Sequence, residues 1–268
     1  MRQIAQEFGA PLYVYDSEKI RSQYDRLTSA FENVPRLKLN YAVKALSNLT
    51  ILRFMKHLGC GLDTVSIQEV KLGLMAGFSP EDIIYTPNGV SLEEIEQAAA
   101  LGVRINIDNL SILEQFGSRH PDIPVCIRIN PHVMAGGNSN ISVGHIDSKF
   151  GISIHQIPHL LRIVELTGMR VNGIHMHTGS DILDVGVFLY ASEINDSHKL
   201  GSFCKVKNNN AEKGNSKRTN LPPHQRIYFL NCAIAIVPER TISFIPYGFN
   251  IRIKLSIFWR SSVNSKVT

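Results

Sequence analysis

The chain has 268 residues, of which 44% are hydrophobic and 19% are charged, and its formal net charge at pH 7 is +5. A chain of this length can bury a substantial core in one large domain or two modest ones. It has no apolar run near the roughly 20 residues of a transmembrane helix and no apolar stretch typical of a secretory signal, so we expect a cytoplasmic protein without a membrane partner. The four cysteines form no Cys-x-x-Cys pair, which argues against a zinc knuckle or a disulfide framework.

The charge divides the chain into two unequal parts. Residues 1–194 carry a net charge of −4, whereas residues 195–268 carry +9. The second part includes a polar run at 205–218 that has little to bury and is predicted to be disordered or a loop. We therefore expect a folded domain at 1–194 and a poorly ordered basic tail at 195–268. An RNA-binding tail is the alternative, but the negative charge of the first part argues against a nucleic-acid partner.

Short apolar segments alternate with helical patterns from residue 37 onward. In the first segment, Leu37, Leu39, Tyr41 and Val43 alternate with other residues, a period of two that is typical of a strand. Ser47 precedes an apolar series with helical spacing that stops at Gly59. Ser91 and Glu94 form the pattern of a capping box at the start of another helix. Strands are predicted at 37–43, 62–65, 82–86, 103–107, 125–129 and 171–177.

This alternation predicts the fold class. Successive strand-then-helix units require parallel strands with right-handed crossovers, either in a (β/α)8 barrel or in an open doubly wound sheet. No Gly-x-Gly-x-x-Gly motif follows the first strand, which disfavours a dinucleotide-binding sheet. We therefore predict an α/β fold of the TIM-barrel type, in which chemistry takes place at the carboxyl ends of the strands.

Polar residues follow the first two predicted strands. Lys44 ends the first strand; if it is poorly solvated there, part of its amine is neutral and can attack an aldehyde. A surface lysine at a strand exit is an equal alternative. Asp63 lies near the end of the second strand and has no ready structural explanation. Ser66 and Glu69 form a further capping pattern, which is sufficient to explain Glu69.

The later strands also carry polar residues. Arg128 shares its parity with Cys126 and Asn130 on an apolar strand, so it needs an anion or a carboxylate partner. This partner could belong to a structural ion pair or to a ligand. The segment at 135–144 is rich in glycine and polar residues, which is typical of a mobile loop over a site and also of any long loop.

The most informative stretch is 175–180. His175 and His177 are two residues apart on a predicted strand and should face the same way, so they either bind a metal together or serve a site separately. Thr178, Gly179 and Ser180 offer hydroxyls and backbone N–H groups suited to a phosphate. A phosphate beside an imidazole fits an organic cofactor better than a metal. Core packing of the two histidines is the remaining alternative.

Taken together, several segments resemble the diaminopimelate decarboxylase family of fold-type III pyridoxal-phosphate enzymes. They occur in the family's order and spacing over about residues 4–194. The resemblance implies an incomplete (β/α)8 barrel of the alanine racemase-like type. The segments are 8–16, 41–45, 58–66, 128–131, 148–151 and 175–180.

The resemblance also implies a cofactor, site residues and a reaction. Lys44 would bind the aldehyde of pyridoxal 5'-phosphate covalently, and His177 would stack on the pyridine ring. Ser180 would contact the phosphate, and Asp63 would belong to the cofactor's hydrogen-bond network. The family decarboxylates meso-2,6-diaminopimelate to L-lysine, and its full-length members are expected to be homodimers.

The resemblance stops after residue 194. The family continues with a glycine-rich phosphate loop, a Glu-Pro-Gly-Arg segment whose glutamate pairs with the pyridinium nitrogen, and a carboxy-terminal β domain. We recognise none of these in 195–268, so we expect that region to be foreign to the fold and this chain to be defective in decarboxylation.

Other functions are also compatible with the sequence. Single-domain barrels of the same fold type bind pyridoxal phosphate without catalysis, and related decarboxylases act on arginine, ornithine or carboxynorspermidine. A metal-dependent hydrolase would use His175 and His177, but it needs a third histidine, and the tail offers only His198 and His224 in polar surroundings. We therefore expect no metal site.

Overall fold

The computed structural model describes residues 2–32, 37–133, 149–177, 229–232 and 255–259. The chain forms two compact units, Met1–Val34 and Pro35–Thr268. The first unit contains helices α1 (Arg2–Phe8) and α2 (Ser17–Ala30). The side chain of Asp16 begins α2 by accepting hydrogen bonds from the backbone N–H groups of Glu18 and Lys19, each at 3.0 Å. Within the described ranges, no helix combines the length and the apolar character needed to cross a bilayer.

The second unit alternates strands and helices, as predicted. All six predicted strands are present, with ends that agree or differ by one residue. The elements in chain order are β1 (Leu37–Ala42), α3 (Leu49–His57), β2 (Gly61–Thr64), α4 (Ile67–Met75), β3 (Ile83–Tyr85), α5 (Leu92–Ala100), β4 (Arg104–Ile107), α6 (Leu110–Arg119), β5 (Val125–Asn130), β6 (Ile152–Ser153), α7 (Ile157–Thr167), β7 (Val171–His177), β8 (Phe229–Cys232) and β9 (Leu255–Trp259).

The strands form one sheet that closes into a ring. Parallel pairs join β1 to β2, β2 to β3, β3 to β4, β4 to β5 and β5 to β7. Each of the connections from β1 to β7 passes through a helix, which is the repeating unit of a (β/α)8 barrel. The short strand β6 pairs with the last two residues of β5. The predicted incomplete (β/α)8 barrel is confirmed, since the described residues supply five helices of this kind and the six parallel strands that they connect, β1 to β5 and β7.

The last two strands come from the region predicted to be a basic tail. Strand β8 pairs in parallel with β7, while β9 is antiparallel to both β8 and β1 and so closes the ring. An antiparallel member departs from the all-parallel pattern of a complete (β/α)8 barrel. The other residues of 195–268 lie outside the described part of the chain, so the predicted domain boundary at residue 194 and the poor order of the tail stay predictions.

Polar residues cap the helices at the ends of the preceding strands. Asn48, rather than the predicted Ser47, begins α3 by accepting from two backbone N–H groups, at 2.9 and 3.2 Å. Ser91 begins α5 as expected, by accepting from the N–H of Glu94 at 3.4 Å. The predicted capping box is only half formed, because the Glu94 carboxylate instead accepts a 2.6 Å hydrogen bond from the hydroxyl of Tyr85.

The outer face of the sheet packs on the helices. Gly73 of α4 lies so close to Leu62 and Ile83 that an added Cβ would be 2.7 and 3.0 Å from their side chains. These two residues pair in register on β2 and β3, so both point outward. Buried Cys60 and Cys126 are free thiols, as expected, and burial raises the pKa of the Cys60 thiol to about 12.

Gly61 tests how closely the inner face is packed. A methyl group there would overlap Oδ1 of Asn40 and lie 2.7 Å from the carbonyl oxygen of Asp82. We expect Gly61→Ala to lower the free energy of unfolding by about 2 to 3 kcal/mol, because overpacking forces neighbours to move. The control is Gly89→Ala, where the methyl group meets no atom within 4 Å but the φ of +66° is unfavourable, which costs about 1 kcal/mol. The free energy of unfolding is measured by urea unfolding, and equal decreases for Gly61→Ala and Gly89→Ala would contradict the prediction.

Candidate active site

Buried polar side chains converge on the inner face of the barrel. Neighbours in register share a face of the sheet, and Ala42 pairs with Asp63 while Arg128 pairs with His175. By alternation along the strands, nine of the ten buried polar residues belong to this inner face. The tenth, Thr64, belongs to the outer face, and its hydroxyl donates to the backbone carbonyl of Ile84. The nine are Asn40, Asp63, Thr86, Asn106, Asp108, Arg128, Asn130, His175 and His177.

Lys44 lies at the carboxyl end of β1 in a 3-10 turn, Val43–Ala45. Its side chain is exposed, which agrees with the second of the two alternatives, a surface lysine at a strand exit. The reason is that β1 ends at Ala42, and the chain turns before it reaches Lys44. This turn is held in place because the Tyr41 hydroxyl donates to the carbonyl of Leu46 at 3.1 Å and the N–H of Leu46 donates to Val43 at 3.0 Å.

Glu69 and Asp63 place negative charge beside this lysine. Glu69 caps α4 as predicted: its N–H donates to the Ser66 hydroxyl at 3.3 Å, and its carboxylate accepts from the N–H of Val65 at 2.8 Å. Burial raises the pKa of Glu69, which the Val65 hydrogen bond opposes; the charge of Asp63 raises it further, and that of Lys44 lowers it. The three charged groups are therefore close enough to interact, and Glu69 belongs to the site as well as to the helix cap.

Arg128 is the buried cation of the inner face, with 6% of its surface exposed. Burial lowers the pKa of its guanidinium, whereas the charges of Asp108 and Asp63 raise it. The guanidinium carbon also lies 4.8 Å from the ring centroid of Phe150, a cation–π distance. Two carboxylates of the kind expected near a buried arginine thus act on Arg128 through their charge.

Asp108 is a site residue that the sequence interpretation missed. Its carboxylate accepts hydrogen bonds from the amide of Asn88 at 2.5 Å and from that of Asn109 at 3.2 Å. All three residues follow the carboxyl ends of β3 and β4, the same rim that carries Lys44. The position of Asp108 directly after a predicted strand could have identified it as a site residue. This position was not distinctive, because Asn and Asp are also common in ordinary loops.

The two predicted histidines lie on β7 and are buried on the inner face, as their spacing predicted. His175 lies deeper in the strand, with its Nδ1 2.6 Å from the side-chain amide nitrogen of Asn106. His177 is the last residue of β7, at the rim. No group of three His, Cys, Asp or Glu suited to a metal ion occurs among the described residues. Ser180, like Thr178 and Gly179, lies outside the described part of the chain.

These groups fit an anionic aldehyde cofactor with an aromatic ring. The rim offers an accessible primary amine at Lys44, a buried imidazole at His177 and a carboxylate at Asp63 whose charge Arg128 balances. An amine can condense with an aldehyde, and an imidazole presents a flat face for stacking.

Glu69→Gln tests the charge balance at the rim through pH. Because the pKa of Glu69 is raised, the folded chain binds more protons than the unfolded chain above the ordinary glutamate pKa, and stability falls as the pH rises. Glutamine removes this effect. The stability of Glu69→Gln relative to wild type should therefore rise between about pH 4 and pH 7 in urea unfolding.

Glu93→Gln is the matched control for this titration. The Ser91 hydroxyl lowers the pKa of Glu93 by hydrogen bonding to its carboxylate, so wild type gains stability relative to Glu93→Gln as the pH rises. The two variants should therefore have slopes of opposite sign. A flat or falling curve for Glu69→Gln would show that burial does not control its protonation.

The chain is similar to known proteins over most of its length. Residues 17–206 match the family model of the pyridoxal binding domain of pyridoxal-dependent decarboxylases. The chain is 40% identical over 193 residues to the diaminopimelate decarboxylase of Methanothermobacter thermautotrophicus, covering 71% of this chain and 45% of that protein. It is 32% identical over 199 residues to that of Haemophilus influenzae, covering 72% and 48%.

Solved structures show the same similarity. The diaminopimelate decarboxylase of Helicobacter pylori complexed with L-lysine matches with a TM-score of 0.66 and 32% identity, over 73% of this chain and 52% of that one. The enzyme of M. jannaschii in complex with L-lysine matches with a TM-score of 0.60 and 29% identity, over 70% and 46%. The chain thus spans about half the length of the relatives that it matches. It belongs to the pyridoxal-dependent decarboxylase family, within which it is similar to the diaminopimelate decarboxylases.

Proposed function

We propose that the chain is the pyridoxal-binding half of a cytoplasmic diaminopimelate decarboxylase. The reaction removes one α-carboxylate of meso-2,6-diaminopimelate as CO2 and replaces it with a proton, which yields L-lysine. The observation that carries this proposal is the group of Lys44, Asp63 and Glu69 at the carboxyl rim of a barrel that matches the family's pyridoxal binding domain. The substrate is supported by two similar structures that are complexes with L-lysine.

Each site residue has a proposed part. The exposed amine of Lys44 forms the covalent link to the aldehyde of pyridoxal 5'-phosphate. When bound, this cofactor supplies the electron sink for the breaking bond. His177 covers one face of the cofactor ring, and Ser180 binds its phosphate. Asp63 belongs to the hydrogen-bond network around the cofactor, and its charge acts on the buried guanidinium of Arg128.

The burial of these residues supports the assignment. Asp63 has 2% of its surface exposed and His177 has 7%, so neither side chain can shift without disturbing the barrel core. Rigid neighbours orient a bound group with little reorganisation, which is the protein's main contribution in cofactor enzymes. The proposed assembly is a homodimer, as in the full-length family. The proposed boundary of the pyridoxal-binding domain is residue 194, whereas the family match extends to residue 206.

Covalent capture of the cofactor tests the role of Lys44. The purified chain is mixed with pyridoxal phosphate, reduced with borohydride and digested, and the modified lysine is mapped by mass spectrometry. We expect the label on Lys44, and Lys44→Ala should lose most of it because Lys44 is the lysine that directly follows β1 at the carboxyl rim. The control is Lys71→Ala, which removes an exposed lysine of α4. Labelling spread evenly over surface lysines in wild type would refute the proposed site.

The stacking role of His177 is tested separately. Loss of a stacked ring costs about 1.4 kcal/mol, so His177→Ala should raise the Kd for pyridoxal phosphate about tenfold. His155→Ala is the control, because His155 is exposed and follows β6. The Kd is measured by absorbance titration. An unchanged Kd would remove His177 from the cofactor site.

Substrate choice is tested with the chain loaded with pyridoxal phosphate. Calorimetric titration should detect binding of meso-diaminopimelate, and ornithine and arginine should bind at least tenfold more weakly. Binding experiments do not require turnover, so the result is independent of how fast this chain decarboxylates. Preference for ornithine or arginine would reassign the chain within the family, while no binding of any of the three would favour a non-catalytic pyridoxal-phosphate protein.

A further inference from the structure

Phe150 contacts the buried cation of the site but has no part in the proposed function. We propose that Phe150 is a positioning residue, whose ring holds the guanidinium of Arg128 towards Asp63 and Asp108 on the inner face of the barrel. Arg128 in turn keeps Asp63 in the place where it serves the cofactor. This last step rests on the proposed function, whereas the contact between the ring and the guanidinium does not.

The contact has the geometry of a cation–π interaction. The guanidinium carbon of Arg128 is 4.8 Å from the ring centroid of Phe150, within the limit of about 6 Å for such pairs. Arg128 is 6% exposed and Phe150 is half-buried, so little water screens the attraction. Partial burial strengthens an interaction that is weak at a fully exposed site.

The chain next to Phe150 is fixed against β5. Gly151 has a φ of +82°, and an added Cβ would lie 3.0 to 3.2 Å from backbone atoms of residues 128–130. Strand β6 follows directly and pairs with Ile129 and Asn130. Only glycine permits this approach, so the backbone next to Phe150 lies directly against β5, the strand that carries Arg128. The position of this backbone therefore does not depend on the contact between the ring and the guanidinium.

The ring also leaves the arginine free to bind carboxylates. A guanidinium is planar and carries five N–H donors around its edge, so an aromatic ring over its face leaves the donors available. Asp63 and Asp108 both interact electrostatically with Arg128. Asn88 and Asn109 hold Asp108 by hydrogen bonds. The guanidinium thus lies at a cation–π distance from the Phe150 ring and also experiences the charges of Asp63 and Asp108.

A second cation near the same ring provides a matched control. The Nζ of Lys149 is 5.2 Å from the centroid of Phe150, but Lys149 is exposed. Lys149→Met removes that cation and leaves Arg128 in place. If positioning of Arg128 is what matters, Lys149→Met should behave like wild type in every measurement below.

The test weakens the ring's negative face without changing its shape. Phenylalanine with one, two or three fluorine atoms is incorporated at position 150, and the Nε–Hε signal of Arg128 is followed by NMR in the cofactor-free chain. We expect faster hydrogen exchange of that signal with each added fluorine, and a return towards wild type in Phe150→Trp, whose ring binds cations more strongly. Exchange that does not change across the series would overturn the proposal.

Cofactor affinity provides the second measurement. We expect Phe150→Leu to raise the Kd for pyridoxal phosphate about tenfold, and Phe150→Trp to restore it. Phe116→Leu, in the core of α6, should lower stability and leave the Kd unchanged, which separates positioning from general loss of packing. If Phe150→Leu and Phe116→Leu change the Kd equally, Phe150 is a packing residue only. If wild type binds no pyridoxal phosphate but the Arg128 signal responds, the proposed function fails and the contact stands.

Discussion

The site depends on a buried charge that its neighbours must balance. Arg128 lies inside the barrel with Asp63 and Asp108 near enough to stabilise its charged form. An isolated ion in such surroundings would be strongly destabilising, and removal of one partner leaves the other uncompensated. The group is therefore best regarded as one unit, in which the amides that hold Asp108 and the ring over Arg128 support the same charge balance.

The alternation of side chains along the strands explains how this unit coexists with a stable core. Outward residues such as Leu62 and Ile83 pack on the helices and supply the apolar burial. Because the outward residues supply this burial, the inward residues need not be apolar. Towards the carboxyl ends of the strands they include hydrogen-bonding side chains. The same rim begins the helices, because Asn48, Ser66 and Asn109 cap them immediately after the strands. Fold and site thus share one set of short connections.

The sequence predicted the strands and the parity of their side chains well, because both follow from local periodicity. His175 and His177 lie on the same face of β7, as their spacing predicted. The sequence left the solvation of Lys44 open between two alternatives, since a strand that ends at Ala42 and turns cannot be distinguished by pattern from one that continues to Lys44. Asp108 was missed because its partner Asn88 is 20 residues away and no local rule links them. Contacts between distant connections depend on the closed barrel, which the pattern alone does not specify.

The exposure of Lys44 is compatible with its proposed part and constrains how the site works. A lysine that must release its carbonyl partner to an incoming amino acid has to be reachable from solvent, whereas the groups that orient the cofactor gain from being fixed. Here the amine lies on a short turn held by Tyr41, whereas Asp63, Arg128 and His177 are buried on the inner face of the barrel. Bound pyridoxal phosphate would itself cover the amine and exclude water from it. The desolvation that the sequence interpretation assigned to the strand would then come from the ligand, so the amine's reactivity would depend on occupancy of the site.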